Sequence, residues 1–148
     1  MKSDCLVIIP TYNEKENMEN IVRAIFGLAQ SFHILVIDDG SPDGTAAIVK
    51  GLQNEFPDRL HIIERQGKLG LGTAYITGFK WALENNYQYI FEMDADFSHN
   101  PQDLLKLYDA CAKDGADLSI GSRYINGVNV VNWPMGRVLI YAIINILI

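Results

Sequence analysis

Two aspartates separated by one residue are the most suggestive chemical feature of this chain. Asp94 and Asp96 end an apolar, strand-like run in the stretch YIFEMDADFSHNP. Two carboxylates this close repel each other, and burial would increase the cost. A divalent cation such as Mg²⁺ or Mn²⁺ prefers oxygen ligands and would relieve the repulsion. A solvated acidic turn before Pro101 is the alternative, but the position at the end of a buried strand favours a metal site.

Two adjacent aspartates end another apolar run. Asp38 and Asp39 close the stretch HILVIDDG, where a carboxylate could accept hydrogen bonds from the edge of a base or from ribose hydroxyls. The alternative is a turn followed by a helix cap. A turn explains residues 41–44 well, but it explains two adjacent aspartates at a strand exit less well.

The stretch PTYNE follows the first apolar run of the chain. Tyr12 could pack against a nucleobase, and Glu14 or the exposed backbone could recognise the polar edge of that base. Asn13 and Glu16 also resemble a helix N-cap and its capping-box partner. The two interpretations are compatible because different residues carry them.

Three basic residues occupy positions suited to phosphate. Arg123, in GSRY, follows the last apolar run, and its guanidinium could contact a phosphate through two hydrogen bonds. Arg137 could make a second phosphate contact or be a solvated cation at a helix start. Lys68 lies in KLGLGTA, which matches neither of the common glycine-rich phosphate motifs. Phosphate binding and a structural loop both stay open for this stretch.

Apolar strand-like runs alternate with helix-length stretches along the chain. The five runs are CLVIIP, HILVIDDG, RLHIIER, YQYIFEMDAD and ADLSIGSRY. This alternation predicts a parallel sheet covered by helices on both faces. In such sheets ligands bind beyond the carboxyl ends of the strands, at the point where the strand order reverses. The polar residues described above fall at those ends.

Composition limits the classes of function. The 148 residues suit one domain, and the balance of 49% hydrophobic and 20% charged residues is that of a globular protein. The net charge of −6, without a run rich in lysine or arginine, gives no support for binding a nucleic-acid backbone. Cys5 and Cys111 are predicted to be buried free thiols. Without a signal peptide at its start, the sequence predicts the cytosol as the compartment.

The last eleven residues, Val138 to Ile148, carry no charge. A span of a bilayer needs about 20 apolar residues, so this segment is too short to cross one. We expect a single domain over residues 1–148, in which residues 135–148 begin a truncated apolar helix. The chain is therefore predicted to be a fragment of a longer protein, and it could self-associate through this segment.

The motifs together resemble a known family. IIPTYNE, VIDDGSPDGT, GKLGLGTAYITGF, MDADFSHNP and GSRY occur in this order over residues 6 to about 137. They resemble the inverting glycosyltransferases of family 2, most closely the dolichyl-phosphate (polyprenyl-phosphate) mannosyltransferases. The resemblance implies an α/β fold with three layers, α/β/α: the Rossmann-like GT-A fold of nucleotide-diphospho-sugar transferases, with a mainly parallel sheet.

The resemblance also implies a reaction. A hexose, with mannose from GDP-mannose as the favoured case, would move to a polyprenyl phosphate with inversion at the anomeric carbon and with Mg²⁺ or Mn²⁺ as cofactor. The alternatives are a UDP-sugar donor, such as UDP-glucose, and a fragment that binds nucleotide without turnover. A nucleotidyltransferase is a rival class, but PTYNE lacks its glycine-rich basic loop. The full-length protein would work at the cytoplasmic face of the membrane that holds the acceptor.

The family motifs assign roles to individual positions. The metal and diphosphate site would include Asp94, Ala95 and Asp96, with Ser98 as a third side-chain ligand. Arg123 would contact phosphate and, with the two aspartates, carry catalysis, while Arg137 is the candidate for a second phosphate contact. The remaining positions matched around the nucleotide are Pro10, Tyr12, Glu14, Ile37 and Asp39.

Overall fold

Four parallel strands form the sheet on which the candidate site is built. The structure, a computed structural model, describes residues 3–122 of the chain. The strands lie side by side in the order β3-β2-β1-β4, and every neighbouring pair is parallel. Their bounds are β1 Cys5–Thr11, β2 His33–Asp38, β3 Leu60–Glu64 and β4 Tyr89–Glu92.

Four helices connect and cover the strands. Their bounds are α1 Lys15–Phe26, α2 Thr45–Gln53, α3 Leu71–Glu84 and α4 Asp103–Ala112. Buried residues of α1, α2 and α4 pack into one core cluster on one face of the sheet, whereas those of α3 pack into a second cluster on the other face. The predicted α/β/α arrangement of three layers around a parallel sheet is therefore confirmed.

The alternation of side chains along β1 explains why both faces are covered. Cys5, Val7 and Ile9 belong to the cluster beneath α1, and Leu6 and Ile8 belong to the cluster beneath α3. All five side chains are fully buried. Successive strand residues point to opposite faces, so a strand that is apolar at every position must be buried on both sides.

Gly78 lets helix α3 pack directly against the sheet. A Cβ atom at Gly78 would come within 2.7 Å of Cγ2 of Ile8. Ala74 and Ala82, one turn to either side of Gly78, are also small and buried. These three small residues share one face of α3 and allow the helix to pack closely on β1. The packing fixes the first turn of α3 relative to the strand ends.

The strand order reverses between β1 and β4. The chain proceeds from β1 to β2 to β3 in one direction and then crosses through α3 to place β4 on the other side of β1. Parallel sheets of this type bind ligands outside the carboxyl ends of the strands at such a switch point. The carboxyl ends of β1 and β4 are therefore the expected place for a site.

A fifth strand was predicted for ADLSIGSRY, and this prediction is wrong for the part that the structure describes. Residues 116–122 form no strand. Leu118 and Ile120 are 75% and 77% exposed, so their apolar side chains gain no burial that would stabilise pairing with a neighbouring strand. The end of this stretch, from Arg123, lies outside the described residues, as do Arg137 and Val138–Ile148.

The start of α1 differs from the predicted capping box. Its N-cap residue is Glu14, and no side chain makes a capping hydrogen bond to the helix, so the capping box predicted from Asn13 and Glu16 is wrong. Both cysteines are free thiols, as predicted, with Cys5 buried and Cys111 half-buried.

Among residues 3–122, no helix is both long and apolar enough to cross a membrane.

Candidate functional site

The two aspartates at the end of β2 have different roles. Both are buried, but Asp38 is held by its own turn: Oδ2 accepts a hydrogen bond from the Ser41 N–H at 3.0 Å, and Oδ1 accepts one from the Ser41 hydroxyl at 2.6 Å. The backbone N–H of Asp39 donates to the carbonyl of Thr11 at 3.0 Å, which holds Asp39 against the end of β1. Asp38 is thus a turn residue, and Asp39 is the carboxylate beside the switch point.

Arg65, directly after β3, holds the carboxylate of Asp39. Its Nε–H donates to Oδ1 of Asp39 at 2.6 Å, and the two side chains are only 8% and 9% exposed. The same guanidinium donates to the hydroxyl of Thr73 at 2.8 Å and to the carbonyl of Gly70 at 3.2 Å. One buried arginine therefore fastens the β3–α3 loop and the first turn of α3 to the end of β2.

The β3–α3 loop reaches across to β1. The ammonium group of Lys68 lies 4.9 Å from the centroid of the Tyr12 ring, a cation–π contact. Gly40, with φ of +71°, lies so close to this loop that a Cβ there would come within 3.1 Å of the Gly67 nitrogen. Lys68 thus places a positive charge beside Tyr12, the candidate for packing against a nucleobase.

Residues after β1 are fixed by hydrogen bonds to the β2–α2 loop. The N–H of Asn13 donates to the Ser41 hydroxyl at 3.0 Å, and the N–H of Glu14 donates to the Thr45 hydroxyl at 3.1 Å. Oε2 of Glu14 accepts a hydrogen bond from the amide of Asn17 in α1 at 3.0 Å. The Glu14 carboxylate is therefore engaged by its own helix, and PTYNE is held in one arrangement at the strand end.

Asp94, in the loop after β4, lies on the α3 side of the sheet. Met93 and Ala95 pack into the core cluster beneath α1, on the other face, so the alternation of side chains directs Asp94 toward α3. There it meets Tyr75: burial raises the pKa of the Tyr75 phenol, and the nearby charges of Asp94 and Glu92 and a hydrogen bond to Asp94 raise it further. Tyr75 therefore stays protonated and can donate to the Asp94 carboxylate.

The second aspartate of the pair is exposed and held by Ser98. Its Oδ1 accepts a hydrogen bond from the Ser98 N–H at 2.8 Å. Burial acts to raise the pKa of Asp96, but the hydrogen bonds from the Ser98 hydroxyl and N–H outweigh it, and the pKa is lowered overall. Asp96 is therefore ionised near neutral pH and available to a cation.

The oxygen donors at this end of β4 suit a small divalent cation together with a phosphate. Within residues 3–122, no group of three or more His, Cys, Asp or Glu side chains is arranged to hold a metal ion. Mg²⁺ is commonly bound by only one or two carboxylates together with substrate phosphates and water. Asp94 and Asp96, with the Ser98 hydroxyl next to them, fit that donor set, so the residues suit a cation that arrives with a diphosphate.

The remaining predicted positions differ in exposure. Pro10 is half-buried in β1, whereas Ile37 and Ala95 are 0% and 3% exposed and pack in the two core clusters. A ligand could therefore meet Ile37 and Ala95 only through main-chain atoms. The assignments of Arg123 and Arg137 stay predictions, because both residues lie outside the described part of the chain.

Two residues of the site were not found from the sequence. Arg65 and Tyr75 act through contacts with Asp39 and Asp94, which lie 26 and 19 positions away in the chain. Arg65 carried one signal: a positive charge directly after a strand, at the edge of the sheet where the acidic residues gather. Tyr75 carried none, because its position in an apolar helix is typical of a core residue.

The fold and the residues at its switch point define a Rossmann-like α/β domain with carboxylates where nucleotides are bound in this class. The chain belongs to glycosyl transferase family 2, whose sequence model matches residues 6–146. The resemblance drawn from the five motifs is thereby confirmed.

Three similar proteins have names that mention a polyprenol, undecaprenyl phosphate or dolichol phosphate. The chain is 52% identical over 135 residues to a polyprenol monophosphomannose synthase of Mycolicibacterium smegmatis, with 91% of this chain and 51% of that protein covered. It is 44% identical to an undecaprenyl-phosphate mannosyltransferase of Micrococcus luteus, with 91% and 54% covered. A dolichol-phosphate mannosyltransferase of Pyrococcus furiosus is 43% identical, with 90% and 37% covered. The chain thus spans about half or less of the length of these relatives.

Solved structures support the fold. A mannosyltransferase of Pyrobaculum calidifontis, in complex with GDP-Man and Mn²⁺, superposes with a TM-score of 0.50 at 26% identity, covering 55% of this chain and 25% of that one. S. aureus TarS in complex with UDP-GlcNAc gives 0.54 at 20% identity, covering 85% and 38%. The latter likeness shows the GT-A fold and nothing about the substrate.

Proposed function

We propose that this chain forms the donor-binding part of a glycosyltransferase that moves mannose from GDP-mannose to a polyprenyl phosphate. One observation carries the proposal: Asp39 and Asp94 lie on either side of the end of β1, at the switch point of the sheet. The backbone N–H of Asp39 donates a hydrogen bond to the carbonyl of Thr11, at the end of β1. Asp94 follows Glu92, which pairs with Ile8, so it comes level with Pro10 on the other side. The names of the three relatives support mannose and the lipid acceptor.

In this arrangement the two parts of the donor, its nucleoside and its diphosphate, would bind at different strand ends. The nucleoside would lie over β1 and β2, with Tyr12 against the base and the free oxygen of Asp39 toward the base or ribose. The diphosphate would lie toward β4, beside Asp94 and Asp96. Arg65 holds the Asp39 carboxylate in place, and Tyr75 orients Asp94, so both carboxylates are positioned before the donor arrives.

Asp94 and Asp96 would hold Mg²⁺ or Mn²⁺ in contact with the diphosphate. When bound, the cation supplies charge that stabilises the departing nucleoside diphosphate. A cation is needed because the two carboxylates would otherwise repel the diphosphate. The Pyrobaculum structure contains GDP-Man and Mn²⁺, which supports this choice of donor and metal.

The chemistry at the acceptor needs little from the protein. A phosphate oxygen of the acceptor attacks the anomeric carbon as the bond to the nucleoside diphosphate breaks, and the bonding electrons leave with the diphosphate. A single displacement of this kind inverts the configuration at the anomeric carbon. Since the acceptor phosphate is already ionised near neutral pH, no strong general base is required. Arg123 would assist by contacting a phosphate.

A transfer assay tests the proposal. The chain, and a longer version with a continuation like that of its relatives, would be incubated with polyprenyl phosphate, Mn²⁺ and one radiolabelled donor: GDP-mannose, UDP-glucose or UDP-GlcNAc. We expect label in the lipid fraction with GDP-mannose and little with the UDP-sugars. Transfer from UDP-glucose instead would contradict the choice of donor, and absence of transfer by both versions would contradict the reaction.

Nucleotide binding without turnover is the second candidate for the 148-residue chain itself. The observation in its favour is that the chain covers 51% of the Mycolicibacterium relative. In that case the short chain would bind GDP in the presence of Mn²⁺, and the longer version would bind it and also transfer mannose.

A further inference from the structure

Exposed apolar side chains follow two strands, β3 and β4, at the carboxyl end of the sheet where the proposed donor site lies. Leu69 and Leu71, at the start of α3, are 59% and 58% exposed, and Phe97, between Asp96 and Ser98, is 42% exposed. We call these three residues the apolar rim. Large apolar side chains that are exposed at the same end of a sheet are candidates for a surface that contacts something other than water.

The leucines of the apolar rim are presented by a restrained loop. The hydroxyl of Thr73 donates to the carbonyl of Leu69 at 2.9 Å and to that of Gly70 at 2.8 Å. Arg65 donates to the same Gly70 carbonyl while it is bonded to the buried Asp39. The two leucines therefore point outward from a loop that is tied to the sheet, so folding them away would break these contacts.

The charge of this segment differs from that of the rest of the chain. Residues 65–83 contain Arg65, Lys68 and Lys80 and no aspartate or glutamate, in a chain whose net charge is −6. Arg65 is neutralised by Asp39, but Lys68 and Lys80 are exposed. Lys68 directly precedes Leu69, and a basic residue next to exposed apolar residues is the combination that binds the interface of an anionic bilayer.

We propose that the apolar rim and Lys68 form a membrane-contact surface that rests on the anionic bilayer in which the acceptor is anchored. The leucines and Phe97 would enter the headgroup boundary, and Lys68 would pair with lipid phosphates. This inference rests on the proposed function, because a lipid-anchored phosphate must meet the donor site at the membrane surface. The rim lies at the same edge of the sheet as Asp94 and Asp96, so contact there brings the site to the acceptor.

Co-sedimentation with vesicles tests the proposal. The chain is mixed with vesicles of phosphatidylcholine and phosphatidylglycerol that contain no polyprenyl phosphate. The double variant Leu69→Ser/Leu71→Ser should bind roughly tenfold more weakly than wild type, since two apolar side chains lose their place in the interface. Leu83→Ser is the matched control, because Leu83 is 69% exposed on the same helix but at its opposite end. Its binding should equal that of wild type.

The alternatives give different results. An equal loss for Leu83→Ser, or wild-type binding by the double variant, would overturn the proposed surface. Binding that appears only when polyprenyl phosphate is added would also overturn it and assign the rim to the acceptor chain. All variants keep residues 138–148, so any contribution of that segment is common to them. GDP binding, measured in parallel, tests the donor site separately: rim-dependent vesicle binding without GDP binding would contradict the proposed function and leave the surface intact.

Discussion

Arg65 and Asp39 form a buried ion pair between the ends of β3 and β2, with Nε–H of Arg65 donating to Oδ1 of Asp39 at 2.6 Å. Because one oxygen of Asp39 is committed to this pair, only the other is left for a ligand. The arginine also holds the carbonyl of Gly70 and the hydroxyl of Thr73. Asp39 is therefore both a support of the fold and a candidate ligand contact.

Replacing Arg65 should damage stability as well as nucleotide binding. Arg65→Met leaves the buried Asp39 carboxylate without a partner, and removing one member of a buried pair costs about 3–5 kcal/mol. We expect the free energy of unfolding, measured in urea, to fall by that amount. The double variant Arg65→Met/Asp39→Asn should recover part of the loss, since no uncompensated charge remains buried.

The exposed pair of Arg23 and Glu55 is the control for this experiment. Its nitrogen–oxygen distance is 2.9 Å, but the side chains are 43% and 52% exposed. Arg23→Met should change the free energy of unfolding by about 1 kcal/mol or less. Equal effects of Arg23→Met and Arg65→Met would show that burial of the Arg65 pair does not matter.

Two glycines of α3 should respond to alanine in opposite directions. Gly78→Ala places a Cβ 2.7 Å from Cγ2 of the fully buried Ile8, so we expect a loss of about 1–3 kcal/mol from overpacking. Gly72→Ala meets nothing within 4 Å and should stabilise the helix by about 0.5–1 kcal/mol. Thermal unfolding of both variants checks the signs. Stabilisation by Gly78→Ala would contradict the close packing of α3 on β1.

Much of the fold could be predicted from the sequence because its signals are local. Each described strand is a mainly apolar run, and polar residues within two positions of Thr11, Asp38 and Glu92 mark the carboxyl ends of three of them. The fifth strand failed because a run such as ADLSIGSRY has the composition of a strand, whereas its formation depends on a neighbour that covers Leu118 and Ile120.

Tyr75 should affect the metal-dependent step without affecting the fold. Tyr75→Phe keeps the ring, which stacks on Phe79 at 6.3 Å, and removes the hydroxyl beside Asp94. Groups that orient a metal ligand typically change affinity by about tenfold or more. We expect the melting temperature to stay close to that of wild type and the Mn²⁺ concentration required for GDP binding to rise. An unchanged Mn²⁺ requirement would make Tyr75 a packing residue.

His61 should make stability depend on pH. Burial lowers the pKa of His61, against a hydrogen bond and the charge of Asp58 that act to raise it. The neutral imidazole is thus favoured in the folded state, and its contribution is complete above about pH 6.5, the ordinary histidine value. As pH falls below that value the unfolded chain binds the proton first, and this contribution is lost. His61→Gln should therefore lose less melting temperature between pH 7.5 and 5 than wild type; parallel profiles would contradict this role.

The site was less predictable than the fold because its connections are tertiary. The sequence shows Asp38 and Asp39 as equivalent, and only the alternation of side chains across the sheet directs Asp39 to Arg65 and leaves Asp38 with Ser41. The link between Lys68 and Tyr12 joins loops that are far apart in the chain. No local pattern reports a contact of this kind.

Isothermal titration calorimetry with GDP tests the central claim most directly. The claim is that Asp94 and Asp96 hold a divalent cation that binds the diphosphate of the donor. We predict binding in Mn²⁺, loss of binding in EDTA, and at least about tenfold weaker binding in Mn²⁺ for Asp94→Asn. Asp103→Asn, which changes a half-exposed aspartate of α4 paired with Lys106, should bind as wild type does. Equal affinity for GDP in EDTA and in Mn²⁺, or full binding by folded Asp94→Asn, would contradict the account.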